Sequence, residues 1–165
     1  MNFWTLAKLA ESIATSEAVD AQHQIVAFAV KGGTPIGYGV NKMRYHNEGS
    51  VFRCSVHAEM DLLNKLKERA AGCKIFVYRF NNTASPSARE VHNAKPCLFC
   101  QHLLRKANIA KVQYLSDEGI VETMKKSDMA ELIADPIDLT EHFVRKISPS
   151  NSENFKPRMY LVANG

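Results

Sequence analysis

Two stretches decide how this chain is read: Ser55-Val56-His57-Ala58-Glu59 and, about forty residues later, Pro96-Cys97-Leu98-Phe99-Cys100. One histidine and a Cys-x-x-Cys pair supply three donors of the types a zinc ion prefers. Three protein ligands leave the fourth tetrahedral position open for water, which is the pattern of a catalytic site rather than a structural one. Glu59 follows the histidine by two residues and is not needed as a ligand, so it can carry protons. A closed structural site would need Cys54 or Cys73 as a fourth ligand and would leave Glu59 without a role. Both of these cysteines read better as buried, inert thiols.

The surroundings of the two stretches predict helices. Met60, Leu62, Leu63 and Leu66 recur at helical spacing with Lys65, Lys67, Glu68 and Arg69 between them. This predicts a helix over residues 56–71, with Ser55 as its N-cap and Gly72 ending it. Pro96 suits a first helical turn, and Leu98, Leu103 and Leu104 give a helix from Cys97 to Ala107 its buried side. Cys97 and Cys100, three apart, then share one face. Both ligand sets lie at helix starts, where the dipole favours anions such as thiolates.

Further out, Ile25 to Val30 and Ile36 to Val40 flank Lys31-Gly32-Gly33-Thr34-Pro35 and read as a hairpin. Lys74 to Phe80 alternates as a strand, with Ile75, Val77 and Arg79 facing away from Phe76 and Tyr78. Lys111 to Leu115 is a further strand, and Gly119 to Met124 a fifth. Strands alternating with helices indicate an α/β architecture with crossover helices packed on a sheet. Before this core, Phe3, Trp4, Leu6, Leu9, Ala10 and Ile13 predict an amphipathic helix over residues 2–18. Residues 81–95 read as an irregular polar stretch. Beyond the core, residues 128–134 and 137–147 read as short helices, followed by a polar linker and a final extended segment over residues 155–162.

The 165 residues fit one domain, with its core at about residues 25–115 and C-terminal helices and a tail over residues 128–165. The net charge of +4 tolerates an anionic substrate without marking a nucleic-acid track. The N-terminal segment lacks the continuous apolar core of a secretory signal, and no apolar run reaches membrane-spanning length. Reduced thiols, a cytoplasmic location and no membrane partner are therefore expected.

H-x-E followed by P-C-x-x-C is the signature of zinc-dependent deaminases, and the sequence resembles the cytidine and deoxycytidylate deaminase superfamily. That resemblance spans about residues 25–115. It implies a three-layer α/β/α fold with a central mixed sheet of about five strands. It also implies a Zn²⁺ cofactor held by His57, Cys97 and Cys100, with Glu59 as the proton carrier for water attacking C4 of a cytosine ring. Asn41 matches the residue whose side chain contacts the sugar, and the Ala58 backbone N–H would meet the base's O2. The family's connection before P-C-x-x-C is usually shorter than residues 81–95, which would lie over the pocket mouth and bear on substrate choice.

The small-molecule substrate expected is a free cytosine nucleoside or nucleotide, deoxycytidylate (dCMP) first. The residues read as a basic loop after Asn41, Lys42 and Arg44 above all, would grip a 5′-phosphate. Two alternatives stay open: a polynucleotide cytosine or adenine deaminase, and a non-catalytic zinc-containing nucleotide-binding module. A homo-oligomer is implied by the superfamily, with the helix after His57 as a candidate interface. His92 and His102 are weaker ligand candidates, and His23, His46 and His142 have no such context.

Overall fold

The computed structural model describes residues 1–17, 23–45, 53–81 and 90–132, without the side chains of residues 43–45 and 53–55. Its sheet begins where the sequence alternates least. β1 (His23–Lys31) is buried on both faces over most of its length, as a central strand must be. It turns through Gly32 and Gly33, with φ of +57° and +83°, into β2 (Thr34–Val40), so that Lys31 pairs with Thr34. Positive φ at both central residues of a two-residue loop matches the right-handed twist of the strands, and glycine adopts it without strain.

A second hairpin follows, β3 (Lys42–Tyr45) paired with β4 (Arg53–Val56), and forms a separate two-stranded sheet. The residues read as a loop from Lys42 onward are thus partly strand. Lys42-Met43-Arg44-Tyr45 does alternate, but over only four residues, the shortest run that can signal a strand. β4 runs straight into α2 (Ala58–Leu66), which continues as a 3-10 turn, Lys67–Ala70. Ser55 lies in β4 and His57 takes the N-cap position, so the expected serine cap is replaced by the residue at which the chain leaves the strand.

β5 (Lys74–Asn81) pairs antiparallel with β1. β6 (Val91–His92) pairs with the end of β5, a short strand inside the stretch expected to be irregular. α3 (Leu98–Lys106) crosses over to β7 (Lys111–Leu115), parallel to β5, and β8 (Val121–Lys125) closes the edge antiparallel to β7. Pro96 stands just outside α3, whose N-cap is Cys97. The main sheet has six strands, in the order β2-β1-β5-β7-β8 with β6 beside β5. It is mixed, as expected.

Two cores cover its faces. α1 (Phe3–Glu17) buries Phe3, Leu6, Ala10 and Ala14 against Val26, Phe28, Phe76, Tyr78 and Phe80. Asn2 Oδ1 accepts the Thr5 N–H at 3.0 Å and caps the helix, and the Tyr78 hydroxyl donates to the Phe3 carbonyl at 2.6 Å. On the other face Leu62, Leu66 and Leu104 pack on Ala27, Ala29, Ile75, Val77 and Val112. α1 on one side and α2 with α3 on the other make three layers, α/β/α.

After β8 the chain makes a 3-10 turn, Lys126–Asp128, and leaves it extended at Met129, where a helix over residues 128–134 was expected. Main-chain groups of Met129 to Leu132 are taken up by α3 instead: Ala130 N–H donates to Gln101 Oε1, Leu132 N–H to His102 Nδ1, and Arg105 Nη1 to the Met129 carbonyl. The elements expected over residues 137–147 and 155–162 lie outside the described residues. No helix among those described is long and apolar enough to cross a membrane.

Candidate metal and active site

Gly39 sets the height of α2 above the sheet. A Cβ there would stand 2.1 Å from the Ala58 carbonyl oxygen and 2.4 Å from the Leu62 nitrogen, both backbone atoms, so only glycine lets the helix sit this low on β2. Asp61, one turn into α2, fixes its angle. Its carboxylate accepts the Val40 N–H at 3.0 Å, Lys65 Nζ at 2.6 Å and Lys42 Nζ at 3.2 Å. Burial pushes the Asp61 carboxyl up, but these hydrogen bonds outweigh burial and hold it below its ordinary value.

α3 is anchored differently. Cys97 Sγ accepts the Cys100 N–H at 3.4 Å and so caps its own helix, and Gln101 Nε2 donates to the Pro96 carbonyl at 2.7 Å. With both helix starts fixed, His57 Nδ1 comes within 3.6 Å of Cys97 Sγ and 3.3 Å of Cys100 Sγ. The three donor atoms all lie within 4.8 Å of one another. A tetrahedral ion with ordinary Zn–S and Zn–N bonds would separate a sulfur from a nitrogen by about 3.6 Å, so the donor set fits zinc in type and in spacing. The imidazole gives its α2 N-cap no hydrogen bond because it is turned toward the thiols.

Charge is distributed to suit. Cys97 is drawn down to about 4, first by the hydrogen bond from the Cys100 thiol and then, against burial, by His57. Cys100 is raised well above the usual thiol range by that same hydrogen bond and by burial. The hydrogen bond to Cys97 also raises His57, against burial, and Glu59 adds to the rise. Burial pushes the Glu59 carboxyl above its ordinary value, with His57 opposing; only 4% of the residue is exposed, and the Cys100 thiol reaches it. The protons thus crowd the place where a divalent cation would displace them.

The sequence model of the cytidine and deoxycytidylate deaminase zinc-binding region matches residues 3–116. The chain belongs to that family. Zn²⁺ is the cofactor that this deaminase family and the His57, Cys97 and Cys100 donors have in common. Among solved structures, the chain is similar to the dCMP deaminase of the cyanophage S-TIM5. In apo form that enzyme is 20% identical over 69% of this chain and 79% of that one, with a TM-score of 0.42. In complex with dCMP and dUMP it is 20% identical over 70% and 82%, again at 0.42. Acinetobacter baumannii RibD, form 2, is 19% identical over 68% of this chain and 27% of that one, at 0.41. No curated protein sequence matches the chain.

The other expected site residues are placed less uniformly. Ala58 opens α2, fully buried, and as a first helical residue its N–H has no acceptor within the helix. Asn41 extends the β1–β2 ladder: its Oδ1 accepts the Ile25 N–H and its Nδ2 donates to the His23 carbonyl, each at 2.7 Å. One lone pair and one N–H of that amide are left for any other contact. Lys42 is paired with Asp61. Arg44 lies in β3 opposite Cys54, and its side chain is outside the described part.

Cys73 donates to the Arg69 carbonyl at 3.5 Å within the main core and takes no part in the donor cluster. His102 holds Leu132, His23 Nδ1 lies 3.3 Å from Asn81 Oδ1, and His92 pairs with Arg79 across β5 and β6. His46 and His142 lie outside the described residues. Sequence reading missed Gly39, Asp61 and Gln101, the residues that hold the two helix starts together. A glycine in a strand signals close backbone approach and could have flagged the first.

Proposed function

We propose that this deaminase-family chain is a zinc-dependent hydrolase that converts cytosine to uracil in a free nucleoside or nucleotide, with dCMP as first choice. The single observation that carries the reading is a buried carboxyl, Glu59, beside three converging donors on two helix starts. A pure structural zinc site gives that carboxyl no purpose. His57, Cys97 and Cys100 would hold the ion. Zinc bound there supplies Lewis acidity and water activation near neutral pH.

Glu59 then does the proton work. Burial raises its carboxyl, the direction that suits a group that must both take and give a proton in general acid–base catalysis. It takes a proton from the water whose oxygen bonds to C4 and passes it to N3. It then takes the second proton from that same oxygen and gives it to the C4 amine, which leaves as ammonia as the C–N bond breaks and the C4 carbonyl forms. Water and the amidine are consumed, and carbonyl and ammonia are formed, with no redox change. The Ala58 N–H is the candidate donor to the base's O2, and Asn41 the candidate sugar contact through its remaining amide valences. Lys42 and Arg44 are the phosphate contacts suggested by sequence, and Lys42 would have to exchange Asp61 for the substrate.

The test is ammonia release from cytidine, deoxycytidine, CMP, dCMP, a cytosine-containing DNA oligomer and an adenosine-containing RNA hairpin. Glu59→Gln is expected to keep full zinc and to lose at least about a thousandfold in turnover, in line with the loss of a general acid–base group. Turnover retained by Glu59→Gln would sink the mechanism. Turnover of the oligomer alone would sink the free-nucleotide reading.

A further inference from the structure

Arg79 is the one residue of β5 whose placement the fold does not explain. By strand alternation it continues the face of Ile75 and Val77, the face on which α2 and α3 pack. The pairing puts Gly39, Ala27 and Val77 in one row across the sheet and Ile25, Arg79 and His92 in a row two residues further along. Ala58, the first residue of α2, stands over the Gly39 end of the first row. Arg79 therefore stands about 7 Å further along the sheet than that first row and two strands, about 10 Å, across from Gly39, at the end of the sheet where both helices begin.

Its hydrogen bonding is incomplete. Nη1 donates to the Asn93 carbonyl at a long 3.5 Å, while Nε is buried with no hydrogen-bond partner among the described residues. No carboxylate among the described residues lies within ion-pair distance of it. A partly buried guanidinium without an anion is costly. It lines a groove of about 360 Å³ together with Asn81, His92, Asn93 and Ser116. Glu90 and Asp117, both exposed, line it too, so an anion held there by the arginine sits against two carboxylates, which disfavours a run of phosphates. Neither this groove nor one of about 500 Å³ at the far ends of α2 and α3 shares a residue with the donor cluster; what ties Arg79 to the site is the end of the sheet on which it stands.

We infer that Arg79 is a specificity-determining residue that binds the 5′-phosphate of a mononucleotide substrate, in place of the basic residues after Asn41. A phosphate presents the paired acceptor oxygens that a guanidinium edge binds bidentately. The inference rests on the proposed deaminase reading, and it can fail separately.

The experiment uses Arg79→Met and Arg79→Lys in the full zinc-loaded chain. The ratio of kcat/KM for dCMP over deoxycytidine is measured, and binding of both compounds is measured in the Glu59→Gln background. Arg79→Met is expected to lower the ratio, and the dCMP binding preference, at least tenfold at full zinc content, with part of each restored in Arg79→Lys. An equal loss for both compounds, an unchanged ratio, or a loss confined to an oligonucleotide would overturn the inference. If the wild-type chain turns over neither compound, the deaminase reading fails, while the binding preference still decides whether Arg79 holds the phosphate.

Discussion

The two helices that carry the site are held in opposite ways. α3 is self-sufficient at its start: the Cys97 sulfur caps the helix it begins, and Gln101, one turn on, reaches back to the Pro96 carbonyl. α2 starts on a residue that gives it no cap, because the His57 ring faces the thiols. It is held from outside, by the close seat over Gly39 and by Asp61 reaching across to β2. A metal ligand can serve as a cap when its donor atom can accept backbone N–H groups and bind an ion together, as a thiolate can. An imidazole aimed at a metal cannot, so its helix depends on tertiary contacts.

The contrast breaks first at Gly39. Gly39→Ala puts a methyl group against two backbone atoms that no rotamer change can relieve, and should cost about 3 kcal/mol or more in chemical denaturation. The displaced α2 should also bind zinc more weakly. Stability within experimental error of wild type would show that α2 rises from β2 easily.

Cys97→Ser comes next and separates cap from ligand, because serine is a good N-cap but a poor zinc donor. It should leave α3 folded by circular dichroism and reduce bound zinc below half of wild type. Full zinc occupancy in that variant would remove Cys97 from the ligand set.

Asp61→Asn sharpens the comparison from the α2 side. Losing the charge should cost about 1–2 kcal/mol, since hydrogen bonds to a charged acceptor exceed neutral ones by that order. The pH dependence has a definite sign. The folded Asp61 carboxyl lies below its unfolded value, so its contribution is present above the unfolded value and lost as pH falls through the folded one. Wild type should therefore lose more stability than Asp61→Asn between about pH 5 and pH 2, in the range where an unperturbed aspartate titrates and below. Parallel stability curves for the two proteins over that range would contradict the assignment.

The smallest effect belongs to Gln101→Leu. It removes the bonds to Pro96 and Ala130 and should lower zinc affinity about tenfold, the usual scale for a residue that supports a ligand without touching the metal. An unchanged affinity in competition with a chelator would show that Cys97 holds α3 by itself.

Much of this was legible in the sequence because it is local. His57, Glu59, Cys97 and Cys100 announce themselves by residue type and spacing, and both helices by apolar period. Gly32 and Gly33 mark the first hairpin, and β5 separates its two faces residue by residue, which puts Arg79 on the Val77 side. What was not legible depends on partners distant in the chain. β3 and β4 are four-residue strands that pair only with each other, and β6 is two residues paired with the end of β5. The cap of α2 falls on His57 because β4 carries the chain extended through Val56, a fact no capping preference at Ser55 encodes. Nothing local to Asp61 marks its role, because its backbone partner, the Val40 N–H, comes from β2.

The central claim is that His57, Cys97 and Cys100 hold one zinc ion and leave a position open for chemistry. X-ray absorption at the zinc edge of the purified chain tests it most directly. Two sulfur donors and two lighter ones, at least one of them imidazole, is the result expected; three or four sulfurs, or none, would contradict it.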